Sequence, residues 1–335
     1  MEIPANKDYI DILKEGNYLE MLDDYPSYMS MIIETTKIKT DIENGDRMII
    51  TGRSLESILE RRIVWEQTVL DGNLQTAIEK LLNDSFINPA ISSRKVNNFI
   101  FEPSTDSSIS SLSIKSQYTG DTIYDAITDI CLSYGLGFKI VLNDNNEFVF
   151  SLYNGKNRSY DQTENSYVIF SPSFNNLINT NYLCSNQLIK TVALVLGEGQ
   201  GSERKRAIIY NKDGTETGLD RKELYVDARD ISSTIDGETT ISDSDYTKQL
   251  EQRGKEKLSE YEYESVFEGE AETTIMFKYG QDFNMGDIIQ VSNEYGIETK
   301  VRIIEYVRSQ GEDGYNVYPT FSSVEWVLKE DKNES

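Results

Sequence analysis

The chain has 335 residues, 33 Lys and Arg against 57 Asp and Glu, and a net charge of −24. By the soft rule of roughly 150 residues per domain, two or three units are expected, and 38% hydrophobic content with 10% aromatics suffices for globular cores. Duplex nucleic-acid binding needs the opposite sign of charge, and an anionic membrane surface is disfavoured for the same reason. Histidine is absent, so Ser-His-Asp and Cys-His nucleophile activation and histidine-ligated metal sites are excluded.

The first seventy residues alternate strands and turns. GNYLEML is followed by an Asp-Asp-Tyr-Pro turn, MSMIIETTKIKT by the turn ENGD, and then RMIITG, which predicts an antiparallel meander. Between Arg53 and Arg62 the period changes, and Leu55, Ile58 and Leu59 predict a helix capped by Ser54. Asn73 is placed to cap LQTAIEKLL, and Pro103–Ser111 reads as a loop. The clearest helical pattern follows Thr119, with Ile123, Ala126, Ile127, Ile130 and Cys131 on one face and Gly135 at its end. FKIVL, NDNN and EFVFSLY predict a hairpin.

Beyond Gly155 strands return in SYVIFSP, NLINTNYLCS, LIKTVALVLGEG, KRAIIYN and KELYVDAR. A partly apolar helix is expected over roughly 245–263, with Gly254 costing about 1 kcal/mol relative to alanine. Ser242–Glu272 carries ten acids and four bases and is expected to be a well-solvated arm. ETTIMFKYG, DIIQVSN, KVRIIEYVRSQ and GYNVYPTF predict the closing strands. Cys131 and Cys184 lie among apolar residues, which suits a reducing compartment and two buried thiols. The N-terminal residues lack a signal-peptide pattern, and no apolar run approaches the ~20 residues of a spanning helix.

One internal similarity stands out. Gly16-Asn17-Tyr18-Leu19, a turn and Met31-Ile32-Ile33-Glu34 are echoed by Gly286-Asp287-Ile288-Ile289, a turn and Arg302-Ile303-Ile304-Glu305. The glycine-to-glutamate spacings are 18 and 19 residues, and each copy continues through an acidic glycine-containing turn. The fold expected is therefore α+β, mainly β: two related β-barrel-like domains flanking a small mixed α/β domain, with one peripheral helix. The expected boundaries are 1–70, 71–160 and 161–335, with a helical excursion at about 242–266 in the last.

No motif marks an active site. Gly197-Glu198-Gly199-Gln200-Gly201 lacks the Lys-Ser/Thr of a phosphate loop and is better read as a connection between strands. Arg204-Lys205-Arg206 has two readings, a docking point for an acidic partner or a guarded strand edge. The carboxylates show no glycosidase arrangement among stacking tryptophans, and only Trp65 and Trp326 are present. The acidic loops 143–146 and 242–245 lack calcium-loop spacing and read as turns. No catalytic, cofactor-binding or metal-binding residue is assigned, and no cofactor is expected.

TGRSLESILERRI, QYTGDTIYDAI, SLYNGKNRS, FSPSFNNL, VALVLGEGQGSERKR and FKYGQDFNMGDIIQV, in that order, resemble the baseplate-hub or tail-associated proteins of siphophages and prophages. The resemblance implies a homotrimeric ring in which two barrels per chain give six quasi-equivalent units that mate with a hexameric tube. It also implies a non-enzymatic role at the virion tail tip, after synthesis in the bacterial host cytoplasm. Expected partners are other copies of itself, distal tail and tape-measure proteins and a receptor-binding protein. DNA passes without specific binding, and no stable membrane insertion is expected. Relatives carry further N-terminal strands before a stretch like EIPANKDYIDILKEGNYL, so the first barrel is expected to be incomplete, shortened or completed by a partner strand. Many relatives extend into a C-terminal hydrolase or receptor-binding module, which is not expected after TFSSVEWVLKEDKNES. The alternative reading is cell-wall carbohydrate recognition through tyrosine-lined grooves.

Overall fold

The structure, a computed structural model, describes residues 1–21, 30–43, 45–211, 213–235, 238–261, 264–271, 276–311 and 314–323. The chain opens with β1 (Glu2–Pro4) and α1 (Lys7–Ile12), a short helix whose N-cap Asn6 side chain accepts from the Tyr9 amide at 2.9 Å. β2 (Tyr18–Glu20), β3 (Ser30–Lys39) and β4 (Arg47–Ser54) complete an antiparallel sheet of order β1-β4-β3-β2. The expected Asp-Asp-Tyr-Pro turn lies outside the described residues. Ile33, Met48 and Ile50 form this sheet's buried cluster, with Ile3, Ile10 and Leu13 against it.

The helix expected after Arg53 is a 3-10 helix, Leu55–Arg61. Ser54 precedes it without a side-chain cap; its carbonyl instead accepts the Ser57 hydroxyl at 2.7 Å. Leu55 and Ile58, three residues apart, are both buried and stack along the tighter helix.

The middle of the chain comprises β5 (Thr68–Asn73), α2 (Leu74–Leu82), β6 (Phe99–Glu102), α3 (Ser107–Ser110), β7 (Ser113–Tyr118), α4 (Ile123–Ser133), β8 (Gly137–Leu142) and β9 (Phe148–Tyr153). The Asn73 side chain accepts from the amides of Gln75 and Thr76, the cap expected for α2. α4 is capped by Thr122, and Gly135 takes the left-handed conformation (φ 66°) just past its end. The expected hairpin is β8–β9, in register from Gly137↔Tyr153 to Leu142↔Phe148. The stretch read as a loop contains α3, because Asp106 caps the Ser108 amide at 2.9 Å. The amphipathic faces of α2 and α4 meet β7, β8 and β9 in the largest core.

The remainder contains β10 (Ile169–Phe170), β11 (Leu177–Ser185), β12 (Val192–Leu196), β13 (Arg206–Tyr210), β14 (Glu223–Asp227), β15 (Thr234–Ile235), β16 (Thr239–Thr240), α5 (Asp243–Ser259), β17 (Glu264–Ala271), β18 (Ile288–Ser292), β19 (Glu298–Gly311) and β20 (Gly314–Ser323). One sheet has six strands in the order β10-β18-β19-β20-β17-β11, and another has three, β13-β12-β14. Phe170, Phe267, Phe283, Ile303 and Phe321 fill the six-stranded sheet's core.

Three expectations are corrected here. The acidic stretch to Glu272 is not one solvated arm, since Glu264–Ala271 is a strand paired with both β11 and β20. Within ETTIMFKYG, the described residues Met276–Gly280 form no strand. α5 is not peripheral: eight of its seventeen residues are buried, Tyr246, Leu250 and Leu258 against β12–β14 and Gln249, Gln252, Arg253 and Glu256 in a polar seam. Gly254 is required by this packing, because a Cβ there would lie 2.5 Å from Ile209 Cγ1 and 2.9 Å from Val195 Cγ2. Among the described residues no helix is long and apolar enough to cross a membrane.

Candidate functional site: two sheets on one register

A chain can present two equivalent surfaces only if local chemistry builds the same sheet twice. In the first sheet the Gly16 amide donates to the Ile33 carbonyl at 2.8 Å, and the Ile33 amide to the Asn17 carbonyl at 2.9 Å. In the second, Gly286 donates to Ile303 at 2.9 Å and Ile303 to Asp287 at 3.0 Å. Gly16 (φ 87°) and Gly286 (φ 86°) both occupy the conformation that favours glycine. Tyr18 faces Ile32 as Ile288 faces Arg302. Every one of these residues is matched by the one 270 positions later.

The correspondence extends to an irregularity and to strand order. β3 bulges against β4 between Ile33 and Thr35, and β19 bulges against β20 between Ile303 and Glu305. The order β1-β4-β3-β2 reappears as β17-β20-β19-β18, with each neighbouring pair antiparallel in both. The repeat seen in the sequence is therefore one of hydrogen bonding, but its alignment needs one correction. The bulged residue is Glu34 in one copy and Ile304 in the other, so Glu34 and Glu305 do not correspond. Glu34 binds Arg53 through both carboxylate oxygens at 2.9 Å, whereas Ile304 is exposed. The second sheet has two additional strands: β10 runs parallel to β18, and β11 antiparallel to β17.

The middle of the chain joins the second sheet at one tight point. A Cβ on Gly155 would lie 1.7 Å from the Gly286 carbonyl oxygen, so only glycine permits the approach. Asp287, buried, accepts from the amides of Lys156 (2.7 Å) and Asn284 (3.0 Å) and from Arg158 Nε (2.7 Å). Asn17, its counterpart, donates instead to the Ile12 carbonyl at 2.6 Å.

A second joint is the seam beneath α5. Tyr118 donates to Glu256 Oε1 at 2.6 Å and Gln252 donates to the same oxygen at 3.0 Å. Glu256 Oε2 is buried without a hydrogen bond, and Arg253 Nε lies 3.7 Å away. Burial raises the Glu256 pKa to about 7, against the pull of Tyr118, Gln252 and Arg253. Arg253 binds Asp230 at 2.9 Å, and Lys257 binds Asp129 at 3.2 Å. These polar residues lie more than a hundred positions from Tyr118 and Asp129, and nothing in their local pattern signals that they pair.

Several side chains of the sequence motifs bond within the fold. In the glycine-rich connection, Arg204 donates to the carbonyls of Gly197 and Leu196 and to Asp227. Lys205 binds Asp243 at 2.7 Å. Ser242 caps α5, and Asn143 accepts from the amides of Asn145 and Glu147 in an ordinary turn. No group of acids or cysteines suited to a metal is found among the described residues. Cys131 is buried as expected, but Cys184 is exposed, because β11 turns it outward. No sequence motif marks a pocket of about 220 Å3 lined by Trp65, Leu81, Ile91 and Arg94, where the Arg94 guanidinium lies 5.5 Å above the Trp65 ring.

No curated protein matches the chain. A solved tail protein from Neisseria meningitidis MC58 superposes with a TM-score of 0.52 at 15% identity, over 88% of this chain and 80% of that one. The 43 kDa tail protein of prophage MuSo2 from Shewanella oneidensis gives 0.58 at 11% identity, over 98% and 89%. At such identities the likeness is one of fold, and the fold is that of phage tail proteins. Residues 1–321 match the profile of the Siphovirus ReqiPepy6 Gp37-like protein family, and the chain belongs to that family.

Proposed function

We propose that the chain is a non-enzymatic structural component of a phage or prophage tail tip, forming a trimeric hub that closes the tail tube and connects it to other baseplate proteins. The observation that carries this reading is the same order of four strands in two sheets, with β2, β3 and the bulge repeated 270 residues later in β18 and β19. Each sheet is taken as the wall of a barrel-like domain, the first within 1–70 and the second within 161–335, flanking the unit at 71–160. Three chains then offer six equivalent sheets to a sixfold tube, because symmetric rings require repeated surfaces. The partners follow from that position: distal tail and tape-measure proteins, a receptor-binding protein, and DNA in transit. A trimer carries three times −24 charges, and acid lining the lumen would let DNA pass without releasing counterions. The decisive measurement is mass in solution. Three copies of 38.3 kDa support the hub, and a species that stays monomeric at every concentration opposes it.

The pocket beside Trp65 favours a second reading, carbohydrate recognition, since an exposed indole offers a stacking face. Binding of cell-wall saccharide that disappears in Trp65→Ala would support it.

A further inference from the structure

The sheet β13-β12-β14 is covered on one face by α5, where Ala193, Val195, Ala207 and Val226 are buried. β12 runs parallel to β14 and antiparallel to β13. On the other face Val192 is buried, but the next row is open. Ile208, Leu194 and Tyr225 are register partners across the three strands and are 51%, 38% and 57% exposed. Tyr210, in the adjoining row, is exposed as well.

The charges on this face are arranged against the trend of the chain. Asp227 is held by Arg204 at 2.8 Å and Arg229 at 2.5 Å, and Glu223 by Arg221 at 2.8 Å. Arg206, exposed in the third row, has no ion-pair partner among the described residues. An apolar row with a net positive rim thus sits on a protein of charge −24.

We propose that this face binds an acidic surface of a second copy of the chain, head to tail. The inference rests on the trimeric reading above and names its contact. A twofold arrangement would set two arginine rims against each other, whereas a head-to-tail contact pairs opposite charges and closes rings. Apolar side chains at the centre of such a patch carry most of the affinity, and the rim sets orientation and salt dependence.

The test is sedimentation of the full chain and of Ile208→Glu, with circular dichroism as the control for folding. The expected result is a trimer for the parent, weakened by salt, and at least about tenfold weaker association for the variant. A trimer unchanged by Ile208→Glu overturns this contact and leaves the hub reading standing. A parent chain that remains monomeric throughout overturns both. A photo-crosslinker at position 208 adds the direction of the contact. Capture of an acidic segment outside 192–229 of the second copy is expected, and capture within 192–229 would show a twofold contact and overturn the proposal.

Discussion

Glu256→Gln removes the carboxyl from the seam under α5 while keeping its shape and one hydrogen-bond acceptor. The acid is fully buried, one of its oxygens has no hydrogen bond, and its pKa stands near 7 against an ordinary 4.5. A carboxyl raised on folding holds its proton longer in the folded state, so folding loses stability as pH climbs from about 4.5 to about 7. At 1.36 kcal/mol per pH unit that interval amounts to about 3 kcal/mol at most. Glutamine does not titrate, so the variant should match the parent near pH 4.5 and exceed it by up to about 3 kcal/mol at pH 8. Hydrogen exchange of peptides spanning 246–258, corrected for intrinsic rates, measures the local opening energy that this joint controls. A parent-to-variant difference that stays constant between pH 5 and pH 8 would refute the reasoning, because the carboxyl would then not titrate in that window.

Three further outcomes are expected. Asp287→Ala strips acceptors from two amides and leaves the largely buried Arg158 without its partner, which should destabilise by about 3 kcal/mol in urea unfolding. Gly254→Val should destabilise by about 1–3 kcal/mol despite glycine's poor helix propensity, since its branches enter space held by Ile209 and Val195; an unchanged melting temperature would contradict that packing. A maleimide should label one thiol rapidly in the folded protein, at Cys184. Cys131 should react only on unfolding, because burial both shields it and pushes its pKa up.

Much of the fold was legible because its signals are local. Asn73 and Gly135 act within a turn of their own helices, and the β8–β9 hairpin is built from adjacent residues. The repeat was visible for the same reason, since Gly16 and Gly286 meet a demand set by their own backbone angles. Glu34 and Glu305 align in sequence but not in the sheets, because a bulge belongs to a pair of strands and neither sequence copy records what lies opposite. Charge counting places β17 in a solvated arm because it cannot see β11 and β20 on its two sides.

Residue type and short-range spacing suffice for the mainly β character, the duplicated meander and the absence of histidine chemistry. The burial of α5, the joints at Glu256 and Asp287, and the bonds of Arg204 and Lys205 to Asp227 and Asp243 arise from contacts across the fold. The burial and pairing of a polar group depend on partners brought from distant parts of the chain, which composition and periodicity do not encode.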